Sequence, residues 1–358
     1  MTLYLPIVPN NIIVINCCSE ISSVVKHYYP SASIYPPPFS NYKQEFNINV
    51  SVDPECLNKI VQFNNHKIIN YKNDIKLIQK KCKNGKAYII GQEAPDYCYH
   101  IDINFPQQKC SFSIFLSSLA KSIYVIRFLR TLIADIHYLS DRRCYHAALV
   151  NYRNKGILIV GDSGAGKTSL TLHLAGAGGK VLSNDKLFIG YDAEGKPAAW
   201  PHVTSFRLGG GLLRNMNNQR LSRLISERSG SVKNFLSELD QKGDYWGNKK
   251  KLELTPAEMN YIFDSQIIDH SRVDLIVFSR RSEPGNSGAI QPSQMSSHSE
   301  LLNANFFSVR DPDYPESIFG NSSSVPLTTN VLHGLPCHSL HFNPYNGLSY
   351  VTDYLDRL

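Results

Sequence analysis

At 358 residues the chain is long enough for two domains, and its 42% apolar and 11% aromatic content excludes a mainly disordered polypeptide. The net charge of +7, from 37 basic and 30 acidic residues, fits a solvated surface with anionic ligands. The densest basic run, Lys249-Lys250-Lys251, is too short for a nucleic-acid stripe, and no apolar run reaches the roughly 18 residues of a membrane span.

The first 110 residues read as a small α+β region. Its β-like runs include Ile12–Ile15, Ala87–Ile90 and Tyr99–Ile103, separated by Pro-rich and Asn/Lys-rich stretches. From Ile114 to about Leu139, apolar residues recur every three or four positions, which predicts a core helix joining two halves. This gives an N-terminal region over 1–138 and a second domain over 139–358.

The second domain opens with a predicted strand, Tyr145–Val150, a turn at Tyr152–Gly156 and an all-apolar strand, Ile157–Val160. A helix is expected from Thr168 to about Ala177, ended by Gly178-Gly179, and then a strand, Lys180–Ser183. Residues 214–252 are polar and read as an insertion or lid. Asp274–Ser279 is a further strand, and 284–300 read as a loop. Eight cysteines occur without C-x-x-C or zinc spacing, so they read as reduced thiols of a cytoplasmic protein; the N-terminus shows no basic leader.

The chemistry concentrates at Gly161-Asp162-Ser163-Gly164-Ala165-Gly166-Lys167-Thr168, which fits the P-loop pattern G-x-x-x-x-G-K-[ST]. Glycines let successive N–H groups curl inward toward phosphate oxygens, and the following helix adds its positive end. The expected nucleotide cradle is Gly161 to Thr168 with Ser169. Lys167 would reach the β- and γ-phosphates, and Thr168 would ligate Mg²⁺. Asp185, just past the next strand, is the expected second Mg²⁺ ligand, with an ordinary strand-end aspartate as its alternative. The expected ligands are therefore ATP and Mg²⁺, with an α/β fold.

From Tyr145 to Asp185 the sequence resembles the HPr kinase/phosphorylase superfamily, which shares its nucleotide fold with phosphoenolpyruvate carboxykinase. The resemblance rests on His146 in the strand, the Gly-Asp-Ser-Gly-Ala-Gly-Lys loop, and Asn184-Asp185 where the family has an Asp pair. Weaker similarity places Ser205-Phe206-Arg207-Leu208-Gly209-Gly210 on the family's Glu-x-Arg-Gly-x-Gly segment. Two carboxylates are replaced: Asn184 stands at the family's general base and Ser205 at its metal-binding Glu. The chain looks more like divergent HPr-kinase-like proteins of biosynthetic gene clusters.

The resemblance implies a phosphotransferase acting on a hydroxyl of a small molecule, peptide or protein serine. It also implies a homo-oligomer, the bacterial enzyme being hexameric. His146 keeps two readings, one as orienter of a carboxylate or acceptor of a proton, the other as a core histidine. Arg207, with Arg280 and Arg281, is a candidate for the γ-phosphate or an anionic substrate. The alternative function is an ATP-binding switch without phosphotransfer. Neither nucleic acid nor membrane is expected as a partner.

Overall fold

The computed structural model describes residues 1–7, 11–37, 42, 44–54, 67–70, 75–82, 85–92, 94–104, 109–203, 205–215, 218–227, 251–282, 288–305, 329–343 and 347–358; within 67–104 and at 109, 214, 215, 329, 330 and 342 the description is of the backbone. The chain divides into two compact units, one over Met1–Leu139 and one over Ser140–Ser308 with Val325–Leu358. No helix among the described residues is long and apolar enough to cross a membrane.

The first unit contains β1 (Thr2–Ile7), β2 (Asn11–Asn16), α1 (Ser19–Tyr28), β3 (Gln44–Val52), β4 (Lys67–Asn70), β5 (Ile75–Cys82), β6 (Gly85–Gln92), β7 (Ala94–Asn104), β8 (Lys109–Leu116) and α2 (Ile123–Leu139). Its strands form one eight-stranded sheet in the order β1-β2-β3-β8-β7-β6-β5-β4. The three predicted runs fall on β2, β6 and β7.

The predicted helix from Ile114 is corrected at its start, because β8 runs to Leu116 and α2 begins at Ile123. The reason is a change of period. Cys110, Phe112, Ile114 and Leu116 alternate inward as a strand beside β3, whereas Ile126, Leu129, Ile133 and Ile136 follow the helical spacing.

The second unit holds β9 (Arg143–Tyr145), β10 (Ala147–Tyr152), β11 (Lys155–Val160), α3 (Lys167–Gly176), β12 (Lys180–Ser183), β13 (Leu187–Tyr191), β14 (Pro197–Pro201), β15 (Phe206–Gly209), α4 (Gly210–Asn215) and α5 (Gln219–Glu227). After these come β16 (Lys251–Leu254), α6 (Pro256–Phe263), β17 (Ser271–Arg272), β18 (Leu275–Arg281), β19 (Ala289–Ser293), α7 (Ser299–Ala304), β20 (Cys337–Phe342) and α8 (Ser349–Leu355).

A six-stranded sheet orders them β12-β10-β11-β18-β20-β19, a four-stranded sheet β17-β14-β13-β9, and β15 pairs with β16 as a separate ribbon. The fold of this unit is thus mixed α/β, with β11, β18 and β20 parallel at the centre. Central β11 is buried on both faces. Leu158 and Val160 pack with Leu187 and Ile189 of the smaller sheet, and Ile157 and Ile159 pack with Leu170 and Leu174 of α3.

Three expectations change here. The predicted strand Tyr145–Val150 is two strands, β9 and β10, broken at His146. Of residues 284–300, expected as loop, Ala289–Ser293 form β19, Met295–His298 a 3₁₀ turn, and Ser299 opens α7; β19 pairs with β20 at the sheet edge, the position where Pro292 is tolerated. Of the expected lid, 228–250 lie outside the described residues, while its ends form α4, α5 and the start of β16.

Two turns follow local chemistry. Arg153 and Asn154 have φ of 53° and 62° between Tyr152 and Lys155, which pair across the hairpin of β10 and β11. Helix α3 ends in a Schellman arrangement: Gly179 N–H donates to Leu174 O at 2.8 Å and Gly178 N–H to Ala175 O at 3.0 Å. Gly178 sits at φ +90°, where a Cβ has open space but a strained backbone. Gly178→Ala should therefore cost about 1–2 kcal/mol, read as a lower urea midpoint in equilibrium denaturation. An unchanged midpoint would remove the strain argument.

Candidate functional site

The loop at 161–166 leaves the C-terminal end of β11 and enters α3. Gly164 and Gly166 take φ of 85° and 90°, the left-handed values that let the backbone curl, and Gly166 is the N-cap of α3. No side chain among the described residues caps that helix, so its first N–H groups remain available to an anion. Ala165 N–H closes the turn on Asp162 O at 3.1 Å.

Gly161 is required by close approach. A Cβ there would lie 2.4 Å from the Ser279 carbonyl oxygen and 2.9 Å from the Ala165 Cβ. Ser279, fully buried in β18, donates its hydroxyl to the Ala165 carbonyl and so ties the loop to the neighbouring strand. Ser279 was read only as the end of an apolar strand; the one signal in the sequence is a hydroxyl closing an otherwise apolar run.

Lys167 is buried, and its ammonium donates to Gly161 O at 2.6 Å and Asp162 O at 3.2 Å. Burial lowers its pKa, the Asp185 and Asp162 carboxylates oppose that shift, and the Lys251 ammonium adds to it. Thr168 and Ser169 lie in the first turn of α3, partly buried, while Asp162, Ser163 and Gly164 are exposed on the loop.

His146 and Asp185 occupy equivalent places in the fold. His146 stands where the chain passes from β9 in the four-stranded sheet to β10 in the six-stranded sheet. Asn184-Asp185-Lys186 lie where it passes back from β12 to β13. Because β9 pairs with β13 and β10 with β12, the two crossings run side by side.

There His146 Nε2 meets Asp185 Oδ1 at 3.2 Å, and His146 N–H donates to Asn305 O at 2.8 Å. The His146 side chain is 32% exposed. Burial raises the Asp185 pKa, but the hydrogen bond and charge of His146, with Lys186 and Lys167, outweigh it and hold the carboxyl below its ordinary range. Asn184 is buried.

The arginines separate. Arg207 is on β15, 60% exposed, with Nε 3.4 Å from Glu253 Oε1 of β16; Ser205 Oγ donates to Glu253 Oε2 at 3.2 Å. Glu253 was not singled out in the sequence, because only the ribbon register brings it opposite Arg207. Arg280 and Arg281 are exposed at the end of β18, just past Ser279.

The residues present fit a Mg²⁺–nucleotide pair. A partly exposed carboxylate held ionised stands near Lys167, and a threonine hydroxyl opens the helix. Magnesium characteristically takes one or two protein oxygens and completes its shell with water and phosphate. No cluster of three or more metal-binding side chains occurs among the described residues.

The depressed Asp185 pKa has a stability consequence. Its contribution is present above the ordinary value of 3.8 and is lost as pH falls through the lower folded value. Asp185→Asn should flatten the acid side of the stability-against-pH curve there, and His146→Gln should do so in part. An acid limb identical to wild type in both variants would show that the pair is not coupled.

No protein-family model matches the chain, and no curated protein matches it. Among solved structures, the Hpr(Ser) kinase/phosphatase from Coxiella burnetii aligns over 60% of this chain and 94% of its own, at 12% identity and a TM-score of 0.29, a likeness too slight to bear on the site.

Proposed function

We propose that this protein is a Mg²⁺–ATP-dependent kinase that transfers the γ-phosphoryl group to a hydroxyl of a small molecule, a peptide or a protein serine. The observation that carries this reading is the convergence of a left-handed glycine loop, buried Lys167 and the His146–Asp185 pair at one end of the parallel strands. The resemblance of residues 145–185 to HPr-kinase-like sequences agrees with it.

Each residue has a role that its surroundings permit. The loop N–H groups and the start of α3 cradle the β- and γ-phosphates, and Lys167 exchanges its carbonyl partners for phosphate oxygens. Thr168 and Asp185 would hold Mg²⁺, which when bound neutralises charge on the phosphates. The acceptor oxygen attacks the γ-phosphorus. The new O–P bond forms as the bond to the β–γ bridging oxygen breaks, and that electron pair leaves with ADP.

The acceptor's proton needs a base. Asp185 binds protons weakly, and Asn184 cannot take one near neutral pH. With Nε2–H donated to Asp185, His146 presents Nδ1 as the accepting nitrogen, its tautomer set by the carboxylate. Arg207 or Arg280 and Arg281 would meet an anionic acceptor or the γ-phosphate.

A nucleotide-dependent switch is the second reading. Its support is that buried Asn184 replaces a carboxylate and that Ser205 presents a hydroxyl bonded to Glu253. Binding without turnover distinguishes it.

Lys167→Ala should abolish transfer and most nucleotide affinity, because the buried charge facing the phosphates is lost. Calorimetric titration with Mg²⁺–ATP measures this, and unchanged affinity would end the P-loop assignment. His146→Ala should slow single-turnover transfer from labelled ATP by roughly 10²–10⁴ with ATP affinity nearly intact. Asn184→Asp should preserve or raise the rate. Tight ATP binding with no transfer to any acceptor, in wild type and in Asn184→Asp, would replace the kinase with the switch.

A further inference from the structure

Strand β18 changes character where it passes the phosphate loop. Ile276 and Phe278 lie on the buried face that packs with Leu158 and Val160, and with a period of two Arg280 is the next residue on that face. Ser279, between Phe278 and Arg280, touches the loop. Its carbonyl oxygen lies too close to Gly161 for any Cβ there, and its hydroxyl donates to the Ala165 carbonyl. Arg280 is thus joined directly to a loop contact, and it is exposed. Its partner across the ladder, His341 of β20, is exposed too, so a guanidinium and an imidazole stand side by side. No carboxylate pairs with either among the described residues.

The row behind them adds a third donor. Ser339 is opposite Phe278 in the register, partly exposed, with its Oγ 3.0 Å from His298 Nε2. The His298 ring stacks on Phe278, with centroids 4.2 Å apart and planes at 14°. Burial, and then the Arg280 charge, lowers the His298 pKa, so the ring is neutral and carries one proton. Its buried Nδ1 has no hydrogen-bond partner among the described residues. An unpaired buried N–H is rarer than an unpaired acceptor, which puts the proton on Nε2. Nε2–H then donates to Ser339 Oγ, and the Ser339 O–H is left to donate to a ligand.

We propose that Arg280, His341 and Ser339 form the anion-binding half of the acceptor site, and that the acceptor is a peptide with an acidic residue about three positions from the phosphorylated hydroxyl. The assignment rests on the kinase reading above. Guanidinium, imidazole and hydroxyl together suit a carboxylate. The spacing comes from the sheet. His146, the base of that reading, precedes Ala147, which pairs with Val160 of β11, and Val160 pairs with Phe278. His146 and Arg280 therefore lie beyond the same row of the sheet, two strand spacings apart, or about 10 Å. An extended peptide covers that distance in about three residues.

Peptides holding a single serine and a Glu three positions before or after it, and the same peptides with Gln, are the probes. Fluorescence anisotropy reads their affinity for the full chain loaded with Mg²⁺ and a non-hydrolysable ATP analogue. Transfer from labelled ATP reads their kcat/KM. Wild type should favour Glu over Gln roughly tenfold or more in both measurements. Arg280→Gln should cut that ratio to about threefold or less. Lys196→Gln, which removes the same charge from the exposed β13–β14 turn, should leave it unchanged. Because Arg280 is exposed, its variant should melt near wild type, which separates a lost contact from misfolding.

Equal wild-type affinity for the Glu and Gln peptides, an equal effect of Lys196→Gln, or a ratio that survives in Arg280→Gln would overturn the proposal and leave the kinase reading in place. Glu-selective binding with no transfer from ATP to any of the peptides would overturn the acceptor assignment. Failure of the wild type to bind nucleotide would overturn the kinase reading and this inference with it.

Discussion

The contact between the P-loop and β18 is the constraint on which the site depends. Gly161 approaches the Ser279 carbonyl so closely that no other residue fits, and the Ser279 hydroxyl holds the Ala165 carbonyl from the same strand. Strand β11 is therefore followed by a loop that is closed on its neighbour rather than free. Left-handed Gly164 and Gly166 complete the curl and deliver the chain into α3 without a side-chain cap. Desolvating Lys167 inside this loop is tolerable because two backbone carbonyls accept from it and two carboxylates lie near it.

A second organising feature is the paired passage between sheets. Neighbouring strands cross between the four-stranded and six-stranded sheets at the same level, at His146 and at Asn184–Lys186. A regular ladder would occupy the backbone polar groups here and alternate the side chains between faces. Breaking it lets His146 and Asp185 turn toward each other and toward the loop. The cost of the break is met by bonds such as His146 N–H to Asn305 O and Ser183 Oγ to Lys186 O. The packing beneath it is continuous, since Leu149 and Leu158 of the larger sheet share a cluster with Leu187 and Ile189 of the smaller one.

The ribbon illustrates how packing fixes which charges a strand pair exposes. Its apolar face is held by α3, whose own N-terminus is the end of the P-loop. Rigid attachment of one face sets where the other face can present Arg207, Glu253 and Lys251. None of these three is buried, so their placement comes from the hydrophobic face behind them rather than from their own interactions.

Much of the site was legible in local sequence. The glycine spacing of 161–166, the all-apolar β11 and the helix after it follow from turn chemistry and periodicity. So do the Gly178-Gly179 stop and the hairpin at Tyr152–Gly156. Local rules failed where period and partner compete. Residues 114–116 were taken into a helix because an apolar helical run follows them, although Phe112, Ile114 and Leu116 alternate as a strand. Residues 284–300 looked like loop by composition, yet backbone pairing with β20 orders Ala289–Ser293.

The sequence by itself determined the phosphate loop and the strand and helix around it, because those depend on neighbours within a few positions. Only the tertiary structure decided that His146 meets Asp185 and that Glu253 meets Arg207. Those pairs lie tens of residues apart, and nothing local sets their registers. Burial of the apolar faces of the sheets and the ribbon sets them, and that burial is a property of the assembled fold.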